Sequence, residues 1–188
     1  RNFHMVVEIN YTAEMEKPYQ TENVVWYYGG MKMYNNTKNK DDAVLNRQHN
    51  PDYLSNGNII IADSENDRVI EVNKTTKEVV WKYENIEHWC RDADELPNGN
   101  ILITEIMKIY EINKTTKEIV WIFDEKMSGA YEADLLDNNN ILIATGNDGF
   151  VYEINKNKEI VWKYGEDFFR NLVIYWCPPS KRHFFKTV

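Results

Sequence analysis

A chain of 188 residues is long enough to bury one sizeable core. Its net charge of −8, with Lys and Arg spread along the chain rather than gathered in a block, argues against a nucleic-acid partner. No run of about 18 apolar residues is present, so no helical membrane span is encoded.

Read in chain order, the pattern begins part-way through a unit. Phe3 to Asn10 reads as a strand, with Val7-Glu8-Ile9-Asn10 at its end. Tyr11 to Glu22 is a long polar insertion, and Asn23 to Tyr28 reads as a second strand. Met31 to Gln48 is a polar linker. The chain starts at Arg1, with no basic-then-apolar leader, as expected of a chain cut, processed or taken from a longer protein.

A full unit then appears over 49–88. Asp52-Tyr53-Leu54 is a short strand, and Ser55-Asn56-Gly57 is a turn in which glycine supplies positive φ. Asn58 to Ala62 is an apolar run of strand length. Glu65 to Asp67 is a turn, Arg68 to Val72 alternates with the period of a half-buried strand, and Asn73 to Lys77 turns into Glu78 to Tyr83. The unit recurs over 89–130 and 131–167. Leu54-Ser55-Asn56-Gly57-Asn58 returns as Leu96-Pro97-Asn98-Gly99-Asn100 and as Leu136-Asp137-Asn138-Asn139-Asn140. Each copy continues into a Glu-Val/Ile-Asn and a Glu-Val/Ile-Val-Trp, ending on Trp81, Trp121 and Trp162.

Four strands in a period of about 40 residues describe a β-propeller blade, and no segment carries the 3.6-residue spacing of a helical solenoid. The fold class is therefore all-β: a propeller of four-stranded antiparallel blades, three clear and one partial (1–30), in a single domain. The three tryptophans are expected between neighbouring blades. Residues 168–188 lack the repeat. Either they supply the inner strands of the partial blade and close a four-bladed ring, which would remove open sheet edges, or the chain is a fragment of a larger propeller.

The stretch Trp89 to Ile103 resembles the repeat of arylsulfotransferase-like propeller proteins of archaea and bacteria. His49-Asn50-Pro51-Asp52 leading to Asn56-Gly57-Asn58, and Ile61-Ala62-Asp63-Ser64 leading to Arg68-Val69-Ile70-Glu71, support it. The resemblance covers roughly Val24 to Tyr164 and is specific for architecture more than for activity. It implies an exported enzyme that moves a sulfuryl group between phenols without a nucleotide donor. A transiently sulfated histidine carries the group, while further histidines and an arginine hold the sulfate oxygens. The family's full histidine set finds no counterpart in this sequence.

Aligning the copies on Asp52, Asp94 and Asp134 places His49, Arg91 and Tyr131 in one column before the innermost strand, where the ring mouth would lie. These are the candidate catalytic residues: His49 as nucleophile or base, Arg91 as a bidentate clamp on an oxyanion, and Tyr131 as hydrogen-bond donor or aryl contact. Against this stands a structural reading, in which Arg91 pairs with an Asp of its own repeat and His49 and Tyr131 are loop residues. The expected partner is an aryl sulfate, a phenol or another small ligand at the mouth, or else a protein.

Asp52, Asp94 and Asp134 recur in every copy and are expected to accept backbone N–H bonds between blades, with a calcium ring as the lesser alternative. No cofactor loop is present, His4, His88 and His183 lack metal-ligand spacing, and Cys90 and Cys177 cannot make a zinc site. The two thiols can pair if the fold brings them together, or remain buried and reduced. Asn10, Asn35, Asn73 and Asn113 fit the glycosylation acceptor pattern, which points to a location outside the cytoplasm.

Overall fold

The computed structural model describes residues 4–10, 24–30, 44–124, 127, 129–146 and 149–165. The insertion 11–22, the segment 31–43 and the tail 168–188 lie outside them, and with them the question of how the tail relates to the partial blade.

Strands β1 (Met5–Ile9) and β2 (Val24–Gly29) form a two-stranded antiparallel sheet. Three four-stranded antiparallel sheets follow, each in simple chain order. The first holds β3 (Gln48–Tyr53), β4 (Ile59–Asp63), β5 (Arg68–Val72) and β6 (Val79–Tyr83). The second holds β7 (Cys90–Glu95), β8 (Ile101–Glu105), β9 (Lys108–Ile112) and β10 (Ile119–Phe123). The third holds β11 (Ala130–Leu135), β12 (Ile141–Thr145), β13 (Val151–Ile154) and β14 (Ile160–Tyr164).

The sheets stack face to face, so the core lies between blades. The two-residue period of a strand sends alternate side chains to opposite faces. On β4, Ile59 and Ile61 enter the core shared with the partial blade, while Ile60 and Ala62 enter the core shared with the second blade. On β8, Ile101 and Ile103 face back and Leu102 faces forward. Coverage on both faces explains why β5 is buried throughout, where its alternation predicted a half-buried strand. Its polar residues are buried with partners: Arg68 Nε donates to Asp63 at 2.7 Å, and Glu71 is held as described next.

The repeated Asn-x-Asn turn has a specific job. Asn56 and Asn58 both donate to Oε1 of Glu71, at 2.9 and 2.6 Å. Asn98 and Asn100 hold Glu111 in the same way, and Asn138 and Asn140 hold Glu153. The other carboxylate oxygen is left for the neighbouring blade. Lys114 Nζ lies 2.8 Å from Oε2 of Glu71, and Lys156 Nζ lies 3.0 Å from Oε2 of Glu111. The carbonyl of the same lysine accepts the indole N–H of the preceding blade: Trp81 to Lys114 at 2.8 Å, and Trp121 to Lys156 at 3.0 Å. The partial blade repeats the device, with Trp26 on the Lys74 carbonyl at 2.7 Å and Lys74 Nζ on Glu8 at 2.7 Å. Burial works to raise the Glu71 and Glu111 pKa values, but the amide and lysine hydrogen bonds outweigh it and hold both below the ordinary carboxylate range.

Trp81 and Trp121 thus sit between blades, as their positions predicted. Trp162 does not: it is 48% exposed, because no further blade faces it among the described residues. Asn73 and Asn113, matched by the acceptor pattern, each cap a turn by accepting two backbone N–H bonds. No helix among the described residues is long and apolar enough to cross a membrane.

Candidate functional site

The first strands of the three blades lie side by side, with β7 between β3 and β11. Each carries a register break. Cys90 and Asp92 face consecutive residues of β8, as do Ala130 and Glu132 on β12, leaving Arg91 and Tyr131 as extra residues. On β3 the break falls between His49 and Asp52. A β-bulge re-aims the side chain it carries: Arg91 and Tyr131 are themselves the extra residues, while His49 is the last paired residue before the break on its strand.

The three side chains converge. Arg91 Nη1 lies 2.7 Å from His49 Nε2. A guanidinium has only donors, so Nε2 accepts and the imidazole proton belongs on Nδ1. The Arg91 Cζ lies 4.9 Å from the Tyr131 ring centroid, and the Tyr131 and His49 rings meet edge to face at 6.3 Å. Arg91 Nε is buried with no hydrogen-bond partner among the described residues. Gly146 makes room for this arrangement: a Cβ there would lie 2.8 Å from Tyr131 Cδ2.

Trp89 joins the group and was not singled out in the sequence. Its half-exposed indole lies 5.5 Å from the Arg91 Cζ, so the guanidinium contacts two aromatic rings. A bulky aromatic two residues before a candidate arginine was the available signal. No ion pair joins Arg91 to an aspartate among the described residues; its partners are His49 and the two rings.

Next along the inner strands, Asn50 Nδ2 donates to Asp92 Oδ1 at 2.5 Å, and the Ala133 N–H donates to Asp92 Oδ2 at 3.1 Å. Asp92 therefore ties all three inner strands together. This is the cross-blade role expected of Asp94, moved two residues along the strand. Asp92 occupies a column whose other members are Asn50 and Glu132, so repetition could not reveal it. Asp94 instead faces like charge. Burial, followed by the fields of Asp92, Asp134, Asp52 and Glu132, pushes its pKa up to about 7. Asp52 Oδ1 accepts the N–H of its own neighbour Tyr53 at 2.7 Å.

Cys90 is a free, buried thiol whose pKa burial drives well up, which makes it inert; Cys177 lies outside the described residues. No group of three or more His, Cys, Asp or Glu side chains among the described residues is placed to hold a metal ion. His88 enters its surroundings through its backbone N–H, which donates to Glu105 at 2.6 Å. His183 is outside the described residues.

No protein-family model and no curated protein matches the chain. Solved structures do. A protein of unknown function from Bacteroides caccae is 22% identical with a TM-score of 0.50, over 63% of this chain and 46% of that one. The WD40 β-propeller domain of Doa1 is 16% identical with a TM-score of 0.54, over 66% and 41%. A streptogramin B lyase is 15% identical with a TM-score of 0.51, over 62% and 39%. The chain is an all-β protein of propeller blades. It matches less than half the length of each of these structures, and at such identities the likeness speaks to fold alone.

Proposed function

We propose that the channel mouth binds an aryl oxyanion and that the protein is an arylsulfotransferase-like propeller, passing a sulfuryl group from an aryl sulfate to a phenol through His49. The observation that supports this most is the 2.7 Å approach of Arg91 to His49 Nε2 beside the Tyr131 ring. A sulfate entering the mouth gives the guanidinium a better acceptor, in bidentate geometry, and frees the Nε2 lone pair. That lone pair attacks sulfur, the S–O ester bond breaks, and the phenoxide leaves and takes a proton from water. The acceptor phenol oxygen then attacks the same sulfur, the N–S bond breaks, and the acceptor's proton passes to solvent, closing the balance. Tyr131 donates to the oxyanion, and Trp89 offers a face for the aryl ring.

Transfer from 4-nitrophenyl sulfate to phenol tests this reading. His49→Ala and Arg91→Ala are each expected to lower turnover by about 10²-fold or more with folding intact. Unchanged turnover in both variants would sink it.

A second reading is a non-catalytic propeller that binds a protein, glycan or small ligand at the same mouth. Nε2 of His49 is already engaged by Arg91, and the column holds one histidine only. Saturable binding of 4-nitrophenyl sulfate without turnover would favour it.

A further inference from the structure

The blade-to-blade lock occurs three times and is left open a fourth time. Its open half is on the outer face of β13 and β14. Glu153 has the same two amide donors as Glu71 and Glu111, Asn138 and Asn140, at 3.0 and 2.6 Å. Where Glu71 and Glu111 also take a lysine from the next blade, Glu153 has none among the described residues. Among the described residues the Trp162 indole N–H likewise has no carbonyl to match those that receive Trp26, Trp81 and Trp121. Trp162 and Tyr164 stack at 6.2 Å and 8°, the geometry of the Trp26–Tyr28 pair at 6.4 Å and 12°. The first pair is 48% and 71% exposed; the second is 7% and 0% exposed. An aromatic pair so open, beside a preorganised carboxylate, is an interface element without its interface.

We propose that this face is an assembly surface, and that its occupant is one further blade of the same repeat type carrying lysine in the column of Lys74, Lys114 and Lys156. That lysine would place its ammonium on Glu153 and its carbonyl on the Trp162 indole N–H, continuing an interface already built three times. A second copy of this chain does not meet the requirement. Its own column lysines are each committed to a preceding blade, and the corresponding position of its partial blade is Tyr11.

The test compares the full chain with a version in which a duplicate of residues 124–165 follows Gly165. Site-resolved oxidation by N-bromosuccinimide reads each indole. In the unextended chain Trp162 should oxidise about tenfold faster than Trp26, because solvent access sets the rate. In the extended chain it should slow to the rate of Trp81. Changing the duplicate's lysine, equivalent to Lys156, to Met keeps the carbonyl that takes the indole N–H, so Trp162 should stay slow, but it removes the ammonium from Glu153 and should lower the urea midpoint of the extended chain. Trp162 still reactive in a folded extended chain overturns the proposal. The unextended chain checks it independently of whether the extended one folds. A protected Trp162 in a monomer would mean that the chain's own residues cover the face. Protection that appears with concentration would mean that a second copy does. Either result overturns the proposal.

Discussion

The blade interfaces and the His49–Arg91–Tyr131 cluster, called the mouth below, are both built from columns of equivalent residues, yet they use repetition in opposite ways. At the interfaces the residue types recur: tryptophan, glutamate and lysine meet in one geometry at each contact between blades. At the mouth the position recurs and the residue changes, so that His49, Arg91 and Tyr131 touch one another rather than their counterparts' partners. Identity across copies marks load shared by the scaffold; difference at a fixed position marks where a specific site can be composed.

The interface half of this contrast breaks hardest at Glu111. Its carboxylate joins two amides of its own blade to a lysine of the next, at 2.9, 2.7 and 3.0 Å. Glu111→Ala leaves those donors without their acceptor and should cost about 2–3 kcal/mol by urea denaturation. Glu153→Ala removes the same two amide contacts without a lysine and should cost clearly less. Equal losses would show that the lysine adds nothing to the lock.

The mouth half is sharpened by pH. Asp94 titrates at about 7 in the fold, with burial first and the surrounding carboxylates second, against 3.8 as an ordinary aspartate. The folded state therefore holds a proton that the unfolded chain has already released. This group favours folding most below about pH 4, loses that contribution as pH rises, and opposes folding above about 7. Glu71 and Glu111 are shifted the other way, so their contribution is present above 4.5 and is lost only as pH falls through their lowered values. Between pH 5 and 8 the Asp94 effect stands alone among these three, and the melting temperature should fall as pH rises. Asp94→Asn should flatten that slope and stabilise the protein at pH 8 by about 1–2 kcal/mol, the full linkage value being reduced by partial solvent access. A slope unchanged in Asp94→Asn would assign the titration elsewhere.

Trp121→Phe keeps an aromatic ring, though a smaller one, and removes the hydrogen bond to the Lys156 carbonyl, and should cost about 1 kcal/mol or somewhat more. The same change at Trp162 removes no bond among the described residues and should stay within about 0.5 kcal/mol. Thermal melts of the two variants make the comparison.

Repeat period, turn chemistry and strand runs made the blades legible in the sequence, because each blade is specified locally. The His49, Arg91 and Tyr131 column was legible for the same reason: alignment of copies is alignment in space. What escaped notice was what one copy holds alone. Trp89 has no repeated counterpart, and Asp92 binds across blades from a column in which its neighbours are Asn50 and Glu132. The burial of Arg68 and Glu71 also escaped: they lie on opposite faces of β5, and the pattern along one strand cannot tell that a sheet covers each face.

A comparably small effect lies in the repeated turn itself. Gly57 and Gly99 adopt φ of 81°, with nothing within 4 Å of an added Cβ, while the third copy holds Asn139 at 62°. The space is open, so only backbone strain distinguishes the residues. Asparagine tolerates the left-handed region better than most side chains, and glycine has more conformational freedom to lose on folding. Asn139→Gly should therefore change stability by no more than about 0.5 kcal/mol, whereas Gly99→Ala, which places a Cβ in that region with no polar side chain to compensate, should cost about 1 kcal/mol. A larger loss at Asn139→Gly would mean that its side chain carries part of the turn, and that the third copy has begun to depart from the scaffold role of the other two.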